Sequence, residues 1–400
     1  MDSKSEPNLF VEINKKSFIF VAGQYDESLN FELLEKIVID HKLIIKNRLI
    51  DINKAQEEIK ESVQSIEKKI QFIFKDVNII LDCFEISCIE ASGYKKLNGS
   101  QLLKENISYI LNLLKSDVAE NEKDKTILHI FNSKSTLDKK VVVENLPIGM
   151  YGNFYSHELT FVLIGNNDYK NIIQIFNKNN LNVKKISIKR FIEGIHLIEN
   201  NNNETFFFLN LSKKQSYISF FDCASLRYVE DFQFGSDIIL NDIKKVCSIK
   251  IENIQQILED NIFKNRNFKD EDFLEEKYFE QQNFRKIRKS LILEIAEARI
   301  QEIAEMIINN NINLKEMEKK NFTLYFYIED DRLKNNFEVI LKSCFSKKYD
   351  LKIKFMNKVS IENIIKSTLT LTNHGWKKEA VPVIQTKNSL ITKIFKSLFG

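Results

Sequence analysis

Leu9-Phe10-Val11-Glu12-Ile13-Asn14-Lys15-Lys16-Ser17-Phe18-Ile19-Phe20-Val21-Ala22 decides the fold, because its pattern returns in the second half of the chain. Leu9–Ile13 and Ser17–Ala22 are rich in β-branched and aromatic residues, and the polar Asn14-Lys15-Lys16 separates them, so the stretch predicts two strands around a turn. Beyond the linker-like run Asn200-Asn201-Asn202-Asn203, Phe206–Leu211 and Tyr217–Asp222 predict two strands around Ser212-Lys213-Lys214, and Ser225–Phe234 supplies more strand. A strand–turn–strand unit near the start of each half is an internal repeat, and it predicts an α/β protein made of two related lobes.

Working outward, Ile52, Ala55, Ile59, Val63, Ile66 and Ile70 recur at helical spacing within Asp51–Phe74, and Val77–Cys83 returns to strand. A smaller unit follows, with a helix at Gln101–Leu114, a charged loop at Ser116–Lys125, and strands at Thr126–Phe131 and Val141–Glu144. The strand Leu159–Gly165 and the helix Tyr169–Asn179 lead out of it. The second half is mostly helical from Ile238 to Asn309. Its last helix, Phe284–Asn309, places Ile287, Leu291, Ile295, Ala298, Ile303 and Ile307 on one stripe. Phe322–Ile328 and Leu351–Phe355 read as strands flanking the helix Leu333–Ser343. Thr370–Lys387, with Gly375, Trp376 and Pro382, shows neither period and reads as a tether.

Composition narrows the function classes. The chain has 400 residues, 43% hydrophobic and 29% charged, with a formal net charge of +3. That composition suits a folded protein, and the near balance of charge argues against a nucleic-acid binder. Basic runs such as Lys139-Lys140 then read as solvated faces. The five cysteines show no CxxC spacing, which fits reduced thiols in the cytoplasm. Met1–Asn8 is polar and lacks an apolar signal core, and no apolar run is long enough to cross a bilayer. The five histidines have no metal-ligand spacing, and the glycine-rich motifs GxxxxGK[ST], GxGxxG and GxSxG are absent. Asp330-Asp331 reads as surface solubility. No catalytic residue and no metal ligand is nominated.

The C-terminal stretch carries a clear pattern. Leu390, Ile391, Ile394, Phe395, Leu398 and Phe399 form one continuous helical face, with Lys393 and Lys396 opposite and no acidic residue from Lys387 to Gly400. This predicts a peripheral membrane helix over 388–400 at an anionic surface. Half-burying its six large side chains contributes about 5–9 kcal/mol, and ordering a dozen residues costs a similar amount. Each lysine adds about 1 kcal/mol. One copy therefore binds marginally, and avidity favours a protein that associates with itself.

Together these features resemble the actin-like ATPases and, through the small unit inserted in the first lobe, the bacterial cell-division FtsA family. Leu146-Pro147-Ile148-Gly149-Met150-Tyr151-Gly152 followed by Glu158-Leu159 is similar to that family's P-I-G-M-x-G segment. Phe234-Gly235-Ser236-Asp237-Ile238-Ile239-Leu240-Asn241-Asp242-Ile243 is similar to the turn and helix after its second phosphate loop. Glu294-Ile295-Ala296-Glu297-Ala298-Arg299 is similar to its E-A-R helix.

The resemblance implies first-lobe core at 8–75 and 159–200, and an inserted SHS2-like subdomain at 76–158. It implies second-lobe core at 204–237 and 321–369, a helical subdomain at 238–320, a tether at 370–387 and the membrane helix. It further implies a membrane adaptor at the division site, on the cytoplasmic face of the cell membrane. That adaptor would bind the acidic C-terminal tail of the tubulin-like protein FtsZ through Arg285, Arg288, Lys289 and Arg299, and would also meet further division proteins and itself. ATP with Mg²⁺ is the implied cofactor, at Asn14, Lys15, Lys16, Ser212, Lys213, Lys214, Gly235 and Ser236. The phosphate loops depart from the family pattern, however. D-I-G-T/S-x-K has become Glu12-Ile13-Asn14-Lys15-Lys16-Ser17, D-I-G-G-G-T-T-D has become Asn210-Leu211-Ser212-Lys213-Lys214-Gln215-Ser216-Tyr217, and a third glycine turn has become Tyr327-Ile328-Glu329-Asp330-Asp331. The four turn lysines either replace backbone donors in holding phosphate or are ordinary turn residues. Two alternatives stay open: an actin-like ATPase with an altered phosphate clamp, and an actin-like scaffold of a pilus-type assembly machine.

Overall fold

The computed structural model describes residues 6–26, 31–138, 141–142, 146–264, 268–279, 283–311, 314 and 322–380. The expected membrane helix 388–400, the end of the expected tether at 381–387, and Lys139-Lys140 lie outside these residues.

The two apolar runs of the opening stretch become a hairpin. β1 (Asn8–Ile13) and β2 (Ser17–Tyr25) pair antiparallel with Ile13 opposite Phe18. β3 (Phe31–Asp40), which the sequence reading did not name, extends the meander. A two-residue-strand hairpin of β4 (Ile44–Ile45) and β5 (Arg48–Leu49) precedes α1 (Ile52–Ile70). Asp51 caps α1 by accepting a hydrogen bond from the Lys54 N–H at 3.0 Å. Ala55, Ile59, Val63 and Ile66 are its buried face, the larger of them contributing about 1.5–3 kcal/mol each. β6 (Asp76–Leu81) then lies parallel to β1.

Between β6 and the next core elements comes a separate antiparallel sheet of β7 (Ile86–Lys96), β8 (Lys125–Leu137), β9 (Val141–Val142) and β10 (Phe154–Gly165). Its order is β7-β10-β8-β9, and α2 (Lys104–Asn121) packs Ile107, Ile110 and Leu114 onto Tyr155, Leu159 and Phe161. The chain returns through α3 (Asn166–Asn177), β11 (Asn182–Ile188, parallel to β6) and α4 (Lys189–Asn201). The first core sheet thus runs β11-β6-β1-β2-β3.

The second half repeats this order. β12 (Phe206–Leu211), β13 (Ser216–Asp222) and β14 (Ser225–Phe232) form the meander. α5 (Asp237–Cys247), α6 (Ile251–Glu259) and α7 (Lys289–Ala304) follow. β15 (Thr323–Ile328), α8 (Asp331–Phe345), β16 (Lys352–Met356) and α9 (Ile361–His374) complete it. The sheet reads β16-β15-β12-β13-β14, with β12, β15 and β16 parallel. Each strand takes the place of its counterpart in the first sheet, so the repeat seen in sequence is a repeat of topology.

Two compact units result. One comprises the described parts of Met1–Glu204, Phe221–Val229 and Val359–Gly400, the other those of Thr205–Phe220 and Glu230–Lys358. α9, expected in part with the second-lobe core, packs on α4 in the first unit.

Three expectations are corrected. The helix expected at Phe284–Asn309 starts at Lys289, because Ile287 and Lys289 instead bond to Leu274 and Asp272, and its last turn, Glu305–Asn309, is π-helical. Its buried stripe is Ile292, Ala296, Ile300 and Ile303, so Leu291, Ile295 and Ala298 of the expected stripe are only partly buried or exposed. Apolar residues on two adjoining faces left the register ambiguous. Thr370–Ala380, read as tether, instead completes α9 and then packs against β8.

Candidate functional site

In open α/β sheets, ligands collect at the C-terminal ends of parallel strands. In the first unit these ends bring together Glu12 near the end of β1 and Asn14 after it, Asp82 after β6, and Lys189 after β11. Lys189, 7% exposed, opens α4 and reaches Glu12 Oε1 at 2.9 Å and Asp82 Oδ2 at 2.8 Å. Burial works against the ammonium charge, but Asp82 and Glu12 outweigh it and raise the pKa above the ordinary lysine value. Two carboxylates that could have faced a divalent cation are bridged by a built-in cation instead.

The turn beside them is closed as well. Asn14 Oδ1 accepts hydrogen bonds from the backbone N–H of Lys16 at 3.0 Å and of Ser17 at 2.8 Å. Its Nδ2 donates to Ser17 Oγ at 3.0 Å. Such an Asx turn is why asparagine sits here. It also spends, within the turn, backbone donors that a phosphate loop presents to its ligand. Lys15 and Lys16 point their charges to solvent.

In the second unit, β12 and β15 end beside the turn Ser212-Lys213-Lys214 and the start of α8. Glu329 accepts a hydrogen bond from the Lys213 N–H at 2.8 Å, which puts a carboxylate at a donor that phosphate would need. Ser236 N–H and Asp237 N–H donate to the Ser212 and Lys213 carbonyls, both at 2.9 Å. Gly235 permits this closeness, since a Cβ there would stand 2.1 Å from the Ser212 carbonyl oxygen. Gly235 and Ser236 are therefore buried against the turn. Burial pushes the Asp237 carboxyl up, with Lys213 and Lys214 opposing. Asp330, read from sequence as a surface charge, is buried. It caps α8 and takes a bidentate contact from Arg332 at 2.9 and 2.8 Å. Burial would raise its pKa, and Arg332 turns the shift downward.

The structure thus gathers Asn14, Lys15 and Lys16 at one strand-end edge, and Ser212, Lys213, Lys214, Gly235 and Ser236 at another. At both edges the chain itself engages groups that Mg-ATP would use: the Ser17 and Lys213 N–H groups and the carboxylates of Glu12 and Asp82. Among the described residues, no group of three or more His, Cys, Asp or Glu side chains is gathered as a metal site requires. Sequence reasoning missed Lys189 and Glu329. A signal for Lys189 existed, since Lys189-Arg190 directly after a strand places basic residues at the positive end of a helix dipole, where a carboxylate must compensate.

Of the residues expected to meet FtsZ, Arg285 and Arg288 are exposed on the extended segment before α7, and Lys289 is the helix's first residue. Arg299 is engaged elsewhere: its Nε bonds Asp242 on α5 and its guanidinium meets Glu302 Oε2 at 2.6 Å.

No protein-family model and no curated protein matches the sequence. Among solved structures, the chain is similar to the PilM–PilN type IV pilus biogenesis complex, with a TM-score of 0.52 and 9% identity over 91% of this chain and 97% of that one. It is also similar to the ethanolamine utilization protein EutJ from Carboxydothermus hydrogenoformans, with a TM-score of 0.40 and 8% identity over 92% and 89%. MreB5 of Spiroplasma citri bound to ADP gives a TM-score of 0.39 and 8% identity over 91% and 96%. With the duplicated sheet order, the first likeness defines the class: this chain has the actin-like ATPase fold. At such identity the likeness extends to the fold alone.

Proposed function

We propose that the chain is an actin-like adaptor that works without turning over nucleotide and joins partner proteins at a membrane. The observation that carries this reading is the closure of both strand-end edges, by Lys189 and Asn14 in one unit and by Glu329 and Gly235 in the other. The fold is kept while its ligand groups are turned inward, as expected of a scaffold selected for its surface.

In the finer form of the proposal, the basic amphipathic stretch 388–400 supplies membrane contact, and the partner is polymeric FtsZ at the division site. Arg285 and Arg288, both exposed, are the cations proposed for its acidic tail, while Arg299 is committed to α5. A second reading, a scaffold in a pilus-type assembly machine, is favoured by the similarity to the PilM–PilN complex. Co-sedimentation with anionic liposomes separates them. The division adaptor loses the membrane on deletion of Leu390–Gly400 and carries purified FtsZ down only when that segment is present. The pilus-type scaffold shows neither dependence. Micromolar binding of a fluorescent ATP analogue with Mg²⁺, abolished by charge reversal at Lys213 and Lys214, would overturn the nucleotide-free reading itself.

A further inference from the structure

Trp376-Lys377-Lys378-Glu379-Ala380 leaves the end of α9 through Gly375, whose φ of +70° turns the chain out of the helix. The segment then adds to the β8 edge as a short antiparallel strand. Asn132 N–H donates to the Lys378 carbonyl and Ala380 N–H to the Ile130 carbonyl, both at 2.7 Å, with Glu379 opposite Phe131. Trp376 anchors the other end, its Nε1–H donating to the Ala224 carbonyl at 2.7 Å and its ring standing edge-on to Phe191. Lys377 pairs with Glu204.

Between these anchors sits a fully buried carboxylate. Glu379 receives hydrogen bonds from His129 Nδ1 on β8 at 2.8 Å and from Lys185 Nζ on β11 at 3.0 Å. Burial alone would raise its pKa, and the Lys185 charge with the His129 hydrogen bond holds it at about 2. The His129 ring is packed between Phe131 and Phe191, so this is an ion pair in apolar surroundings. Lys185 is itself 5% exposed. If Glu379 withdrew, Lys185 would stay behind as a buried, uncompensated cation, which a protein interior tolerates poorly. Any withdrawal of Glu379 carries that cost, and because the backbone bonds of Lys378 and Ala380 flank it on either side, loss of its seat loosens both together.

We infer that Trp376–Ala380 is a charge-latched strap, an internal strand addition that pins the outgoing C-terminal residues to the inserted sheet and detaches as one unit. Detachment uncovers the backbone groups of Ile130 and Asn132 on the β8 edge. A binding event that shifts β8 against β11 opens the latch, because His129 and Lys185 hold Glu379 from those two strands. The strap stands whether or not 388–400 meets a membrane.

Hydrogen exchange and acrylamide quenching on the full chain test it, since Trp376 is the chain's single tryptophan. Glu379→Gln keeps the shape and removes the charge. It should speed exchange at both Asn132 and Ala380 by about tenfold or more and expose Trp376 to quencher, while α1 exchanges as in the wild type. An unchanged Trp376 and protected Asn132 and Ala380 amides would overturn the latch. Should the variant also loosen α1, the wild type decides: in low urea the Asn132 and Ala380 amides must open with one common rate, ahead of α1. Separate rates, or opening together with α1, would refute a unit that detaches alone.

Discussion

Replacing Lys189 with methionine keeps most of the side-chain volume and removes the cation that Glu12 and Asp82 share. Glu12 is 2% exposed, whereas the Asp82 side chain keeps a quarter of its surface in water, so the cost falls chiefly on Glu12. Taking one partner from a buried ion pair costs about 3–5 kcal/mol. With a urea slope of about 2–3 kcal/mol/M for a unit of this size, the midpoint of Lys189→Met drops by roughly 1–2.5 M. Hydrogen exchange of the α1 amides at rising urea reads the transition of this unit, whereas Trp376 leaves with the strap. Adding Glu12→Gln to Lys189→Met removes the stranded charge and should restore most of the loss, since a neutral replacement of a buried pair is often harmless. If Lys189 is instead held in reserve for a phosphate, its removal relieves desolvation and costs under about 1 kcal/mol. A midpoint within that margin of wild type, or a double variant no better than the single, would refute the closed-edge account.

Three further outcomes follow from the same geometry. Gly235→Ala must push a methyl into the Ser212 carbonyl, so it destabilises the second unit by about 1–3 kcal/mol, read as a lower melting temperature. His157 is buried with no partner at either ring nitrogen among the described residues, and burial lowers its pKa to about 4. The unfolded chain therefore binds one more proton than the folded one between about pH 6.5 and 4, and stability falls by about 1.4 kcal/mol per pH unit as pH drops through that window. A His157→Phe variant should lose that slope in pH-dependent urea melts. Glu379 adds a second acid limb: its stabilisation is complete above about pH 4.5 and lost as pH falls toward 2, so Glu379→Gln should flatten the Trp376 signal there.

Much of the fold was legible because it rests on local signals. The hairpin at Leu9–Ala22 and its repeat at Phe206–Asp222 are apolar runs around polar turns, and Asp51 announces α1 by its capping oxygen. β3 was not legible: its Glu32, Glu35, Lys36 and Asp40 put charge on a half-exposed edge strand and blur the alternation. The turns at 14–16 and 212–214 were recognisable as turns, but what packs against them was not, since Glu329 lies far along the chain from Lys213. The strap was missed for the same reason. Glu379 finds Lys185 and His129 across separations of 194 and 250 residues, and no window of sequence contains all three. Charge pairs inside a core carry no periodicity, so a buried Lys185 and a surface Lys184 read alike in the chain.

The two closures differ in chemistry, and that makes them independent. One unit closes with an asparagine turn and a lysine, the other with a glutamate and a glycine packed on a carbonyl. No single substitution reopens both: removing Lys189 strands Glu12, and removing Glu329 leaves the Asn14 turn as it was. Removing either side chain therefore loosens one edge alone, and because the two closures share no residue, their costs to stability should add in a double variant.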